Sequence, residues 1–279
     1  MQASDTAYCD AQGRPQLRGS VTGFIDLLGF SQGIMSQQSM AESQQTLEQI
    51  LEAIRDSRSY VQAGLASRQF PIPAQSAVKF FSDNLVLGVP CGGDPEDLAR
   101  NTLGVVLSAQ RYQLRMALHG LFARGGLTYG PLCLTDEIIF GAALIDAYRM
   151  ESNVAIVPRI VLAEQLSRPI VQLSRDQQCQ QSAADSICRD IDGLWFVNYL
   201  EAARTEQGLQ WEDIAMHKQR VGEALSRTPA HNVLPKYGWV IRYHNMFCHW
   251  HREDPGYSAS YRIERVDEDS VIERLADVV

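Results

Sequence analysis

Asp26 sits inside Val21-Thr-Gly-Phe-Ile-Asp-Leu-Leu-Gly-Phe30, a short apolar run that breaks at Gly29. A carboxylate in an otherwise buried strand is costly unless something positive compensates it. A bound metal ion is one such compensation, and a glycine just beyond lets backbone amides approach a phosphate. Asp83 sits in Val78-Lys-Phe-Phe-Ser-Asp-Asn-Leu-Val-Leu87, at a tight turn between two apolar runs. Carboxylates on rigid strands can share two divalent ions about 3.5–4 Å apart, one activating an attacking oxygen and one steadying phosphates. Oxygen ligands of this kind suit Mg2+ or Mn2+. The plainer alternative is an aspartate at a strand end and another in a hairpin turn, where aspartate is common. Spacing alone does not separate the two.

The elements that would position these residues follow in order. Residues 1–17 are polar, with Gly13 and Pro15, and read as a flexible lead-in. A strand is predicted over 18–27. Ser39-Met-Ala-Glu42 reads as a capping box opening a helix with Leu47, Ile50, Leu51 and Ile54 on one face. Strands over 76–81 and 85–89 flank Ser82-Asp83-Asn84. A long helix over 95–119 places Leu103, Val106, Leu107, Leu114, Ala117 and Leu118 together. Phe122 to Gly130 reads as a strand bent or closely approached at its glycines. A helix over 139–152 and a further element at Arg159–Leu162 complete the pattern. Strand, helix, strand, strand, helix, strand, helix is a split βαβ unit. It implies an α+β fold, a ferredoxin-like antiparallel sheet with helices on one face.

The Gln- and Ser-rich stretch around 170–190 reads as a linker or loop. Beyond it, a strand at Gly193–Leu200, helices over 211–226 and 234–250, and a last strand from Tyr257 to Val266 are expected. These boundaries give a lead-in (1–17), a catalytic domain (18–168) and a C-terminal extension packed on it (169–279).

The net charge of −8 and pI of about 5.3 argue against general nucleic-acid binding, so an anionic nucleotide would need metal ions or a few placed cations. The N-terminus lacks the apolar core of a signal peptide, and no apolar run approaches the ~20 residues of a membrane span. Six scattered cysteines without a Cys-x-x-Cys pair read as reduced thiols of a cytoplasmic protein.

Four stretches together resemble the class III nucleotidyl cyclases. Phe24-Ile-Asp-Leu-Leu-Gly-Phe30 is similar to their first metal motif, and Lys79-Phe-Phe-Ser-Asp83 to their lysine-x-x-glycine-aspartate motif, with Ser82 replacing the glycine. Arg124-Gly-Gly-Leu-Thr-Tyr-Gly130 resembles the later arginine-x-glycine-isoleucine strand. Phe140 to Glu151 resembles the helix bearing the family's asparagine and arginine. The resemblance implies that Asp26 and Asp83 bind two divalent metal ions, Mn2+ or Mg2+, with the backbone carbonyl of Leu27 as a further ligand. It implies that Leu28, Gly29 and Phe30 offer amides to the β- and γ-phosphates, and that Arg149 stabilises charge at the α-phosphate. Phe24, Lys79, Arg124 and Tyr148 fall among its nucleotide-binding positions. Arg149 could equally be a helix arginine paired with Glu151 or Asp146.

The departures concern the base. In adenylate cyclases the ribose-orienting asparagine falls where this chain has Ile145, and the adenine-reading aspartate where it has Ile138; Lys79 keeps the other base-reading position. Tyr148 stands beside Arg149 in place of a small residue, free to stack on a base or to pack in the core. Phe-Ser-Asp, Arg-Gly-Gly, Ala-Tyr-Arg-Met-Glu with Pro158-Arg159, and Lys236 to Asn245 resemble the pyrimidine cyclases of bacterial Pycsar anti-phage systems. That resemblance implies cyclic UMP made from UTP (or cyclic CMP from CTP), a homodimer with active sites at the interface, and a separate effector activated by the product. The acidic charge and the lack of a long apolar run leave no nucleic-acid and no membrane partner expected. Lys236 and Arg242 are alternatives for a triphosphate contact. His244, Cys248, His249 and His251 form a rival, zinc-like constellation without a second ligand pair.

Overall fold

The computed structural model describes residues 7–29, 39–66 (side chains to residue 60), 76–92, 94–175, 183–227, 234–263 and 272–274. Strand β1 (Arg18–Leu27) leads to helix α1 (Met40–Ala66), then β2 (Ala77–Phe81), β3 (Asn84–Pro90) and α2 (Pro95–Leu118). Next come β4 (Ala123–Leu134), the short β5 (Ile139–Phe140), α3 (Ala142–Asn153), β6 (Ile160–Leu162) and α4 (Glu164–Leu173). The C-terminal part holds β7 (Ile187–Arg189), β8 (Trp195–Val197), a 3-10 turn (Tyr199–Ala203) and the ribbon of β9 (Arg204–Thr205) and β10 (Gly208–Leu209). Helices α5 (Trp211–Arg227) and α6 (Leu234–Trp250) and strand β11 (Glu273–Arg274) complete it.

The sheet runs β11-β7-β8-β6-β4-β1-β3-β2, and its β4-β1-β3-β2 half is antiparallel throughout, as the split βαβ reading requires. Strand β6 adds in parallel to β4, so the whole is mixed but mostly antiparallel.

Alternation along β1 separates two cores. Val21, Ile25 and Leu27 face α1 and α2 in the larger one, whereas Phe24 joins Val86, Leu132, Ala143 and Ala147 in a smaller one. Helix α2 is buried along most of its length, including all six residues expected on its apolar face. Its start is set by Asp94, whose carboxylate accepts from the Asp97 amide, and by Pro95 in the first turn. Ser39 likewise accepts from the Glu42 amide ahead of α1. In α1, however, Ile50, Ala53 and Ser57 are buried while Leu47 and Leu51 are exposed.

Four further expectations need correction. Helices α1 and α2 share one face, but α3 crosses the other, because Gly126 has no side chain to keep it off: a Cβ there would lie 2.5 Å from Met150 Cβ and 2.7 Å from the Ala147 carbonyl. Residues 7–17 are not a loose lead-in. Ala7 and Tyr8 are fully buried, and the Tyr8 hydroxyl donates to Ser20 Oγ at 2.9 Å. Residues 257–263 form no strand; Ala259–Tyr261 is a 3-10 turn, and Tyr261 stacks on Trp211 at 5.0 Å. Helix α4 spans the expected boundary at 168/169, and the sheet and the larger core continue across it.

Candidate active site

Asp26 ends the half-buried edge of β1 directly opposite Arg124 on β4, on the α3 side of the sheet. Arg124 donates to Asp26 Oδ2 from Nη2 at 3.1 Å and from Nε at 3.2 Å. Its Nη2 also lies 2.6 Å from Oε1 of the buried Glu151, an ion pair whose angles do not make a hydrogen bond. The other Glu151 oxygen accepts from Ser152 at 2.7 Å. Glu151 is on α3 because Ala143, Ala147 and Glu151 form its sheet-facing stripe.

One guanidinium is too little for this cluster. Burial, then the charges of Glu151 and Asp83, push the Asp26 carboxyl up to about 6 despite the opposing pull of Arg124. The charge of Asp83 therefore reaches Asp26 across the β1–β3 pair. Asp83 is held in a two-residue turn, since Phe81 pairs with Asn84, and its Oδ1 accepts from the Asn84 amide group at 3.1 Å. Ser82 keeps the backbone of the glycine it replaces in the motif, with φ of 54°, in the left-handed region.

After Asp26 the chain turns away from the sheet. The Leu28 amide donates to the Phe122 carbonyl, and Gly29 adopts φ of 76° with open space around it. The Leu27 side chain is buried, so its part in any site is through the backbone. Phe30 lies outside the described residues.

The donor set fits a hard divalent cation: carboxylate oxygens, crowded and short of positive charge. Among the described residues no three His, Cys, Asp or Glu side chains form a ready cage.

The remaining expected residues divide. Phe24 is buried and touches Tyr148 (5.4 Å) and Phe81 (6.2 Å) edge to face, so Tyr148 both packs and remains half exposed. Arg149 points away from the sheet: its side chain is 69% exposed and lies 3.8 Å from Asp146, not beside Glu151. Lys79 donates to the carbonyls of Thr135 (2.9 Å) and Asp136, in the turn that carries Ile138. Ile138 and Ile145 are exposed. Thus Asp26 and Arg124 pair within one chain, Asp83 is near enough for its charge to be felt at Asp26, and Arg149 faces outward.

The C-terminal alternatives separate. Lys236, in the first turn of α6, is lowered by burial and by Arg124, while Asp26 and Glu151 oppose that shift. The Tyr237–Phe122 ring contact at 5.4 Å seats this turn against the start of β4. Arg242 instead lies 3.8 Å from Asp190, in a buried cluster where Arg159 and Trp239 also bind Asp190. The zinc-like constellation disperses. His244 stacks on His217 with their Nδ1 atoms 3.0 Å apart, Cys248 lies 3.7 Å from His244, His249 is exposed, and His251 pairs with Glu201 and Asp254.

Sequence reasoning weighed Glu151 only as a partner for Arg149. Its spacing of four from Ala147 and eight from Ala143 was the signal that it faces the sheet. Among the described residues no helix is long and apolar enough to cross a membrane. No protein-family model and no curated protein matches the chain.

Proposed function

We propose that this protein is a class III-type nucleotide cyclase that converts UTP into 3′,5′-cyclic UMP and pyrophosphate. The observation that carries this reading is Asp26, three residues before the Gly29 turn, held against Arg124 and Glu151 and within reach of the charge of Asp83, with more negative charge than Arg124 neutralises. Divalent ions bound there would lower the proton affinity of the ribose 3′-hydroxyl and neutralise the triphosphate. The 3′-oxygen forms a bond to the α-phosphorus, the bond to pyrophosphate breaks, and the hydroxyl proton passes to water. Asp26, Asp83 and the Leu27 carbonyl hold the ions. The Leu28 amide already donates to the Phe122 carbonyl, so the amides of Gly29 and Phe30 would receive the β- and γ-phosphates, and Lys236 would meet the triphosphate. Arg149 supplies a permanent cation at the α-phosphate.

Because Arg149 faces outward, the reading requires a second copy of the chain to complete each site. Exposed Phe81, Ile138, Phe140, Ile145 and Tyr148 on α3 and its neighbours supply apolar surface for such a homodimer. With Ile138 and Ile145 offering no polar group, a smaller pyrimidine is favoured over adenine; CTP is the alternative substrate. The product would act on a separate effector in the cytoplasm as an anti-phage signal. The exposed Ile145 in place of a polar ribose contact favours one second reading, a cyclase-fold domain that senses nucleotides or dimerises without turnover.

Complementation tests the shared site. Asp83→Ala and Arg149→Ala should each be inactive alone. Mixed in equal amounts and allowed to exchange, they should recover about a quarter of wild-type cyclic UMP formation, since half the dimers carry one intact site. No recovery, with exchange verified, would refute the shared site.

A further inference from the structure

We propose that the groove between α4 and the β6–β8–β7 part of the sheet is a second ligand site, taking a nucleoside monophosphate. It shares no residue with the Asp26 cluster. The groove is about 610 Å3, within the range of small-molecule pockets. Leu162, Val171 and Trp195 give it an apolar lining, and Arg168, Arg175 and Arg189 bring guanidinium groups to it. Among the described lining residues Glu164 is the one carboxylate, and Arg168 already binds it at 2.7 Å. Arg175 has no ion-pair partner among the described residues, and Arg189 donates to the Gly193 carbonyl at 3.2 Å. In a chain of net charge −8, a groove whose lining carries three arginines against one carboxylate is arranged for an anion.

The aromatic component comes from register. Arg189 and Trp195 are directly opposed on β7 and β8, with the guanidinium 5.9 Å from the indole centroid. Trp195 is only half buried, so its ring is available to a second flat group. A base stacking there would place its phosphate among guanidinium groups suited to bidentate binding. Inorganic phosphate alone would leave the apolar lining unused.

The test is a tryptophan-fluorescence titration of the full chain with UMP in EDTA, which removes any metal-dependent binding at Asp26. We expect saturable quenching that survives Asp83→Ala, disappears in Trp195→Phe, and weakens about tenfold or more in Arg175→Glu and Arg189→Glu. Circular dichroism checks that each variant is folded. Absence of saturable quenching, or equal affinity in both arginine variants, would overturn the site. Full displacement of UMP by an equal concentration of inorganic phosphate would overturn the role of the base. None of these outcomes depends on turnover, so they stand apart from the cyclase reading.

Discussion

Replacing Asp26 by asparagine should make the metal-free protein more stable while abolishing its activity. Asp26 is 17% exposed at its side chain, and its carboxyl rises from 3.8 to about 6. That rise corresponds to about 3 kcal/mol. Because the folded protein holds this proton more tightly than the unfolded chain, the carboxylate costs stability at high pH. The cost is fully present above about pH 6 and vanishes below about pH 4. Asparagine removes the charge yet keeps an oxygen that accepts from Arg124, whose other partner, Glu151, stays in place. In EDTA at about pH 7.5, Asp26→Asn should therefore be more stable by about 1–3 kcal/mol, several degrees in Tm for a chain of this size. Near about pH 3.5 the two proteins should converge. Urea or thermal denaturation across this range measures both effects. Adding Mn2+ should stabilise the wild type and leave the variant unchanged. If Asp26→Asn is instead the less stable protein at about pH 7.5, and the deficit shrinks as the pH falls, the carboxylate is a structural partner of Arg124 and the reasoning fails.

Two other substitutions probe the turn and the triphosphate contact. Ser82→Gly should raise the urea midpoint by an amount worth about 0.5–1 kcal/mol, the left-handed penalty less the extra entropy of glycine in the unfolded chain; an unchanged or lower midpoint would show that Ser82 is not strained. Lys236→Ala should raise the KM for the nucleotide about tenfold with little change in kcat, as loss of a charge-assisted phosphate contact does. An unaltered KM would remove Lys236 from the site.

The strands and helices around the site were legible because their signals are local. The apolar run to Asp26, the turn at Ser82-Asp83 and the stripe on α2 all occur as expected. What escaped depends on contacts between distant segments. Tyr8 reads as part of a polar leader until Ser20 and the smaller core are brought over it. Gly126 reads as a strand irregularity, but its consequence is that α3 lies on the face opposite α1 and α2. Aromatic residues from 257 onward look like a strand, yet they serve to cover Trp211. The two-residue β11 is too short to leave a pattern. Lys236 and Arg242 could not be separated by sequence because both lie on one helix; Asp190 claims one and the Arg124 cluster approaches the other.

The central claim is nucleotide cyclisation at Asp26 and Asp83. Purified protein incubated with each of the four nucleoside triphosphates and Mn2+, with products resolved by mass and chromatography, tests it most directly. We expect cyclic UMP and pyrophosphate in equal amounts from UTP, or cyclic CMP from CTP, and none from the Asp83→Ala protein. Cyclic AMP as the sole product would contradict the pyrimidine assignment, activity surviving Asp83→Ala would contradict the metal site, and no cyclic product from any triphosphate would contradict the enzyme itself.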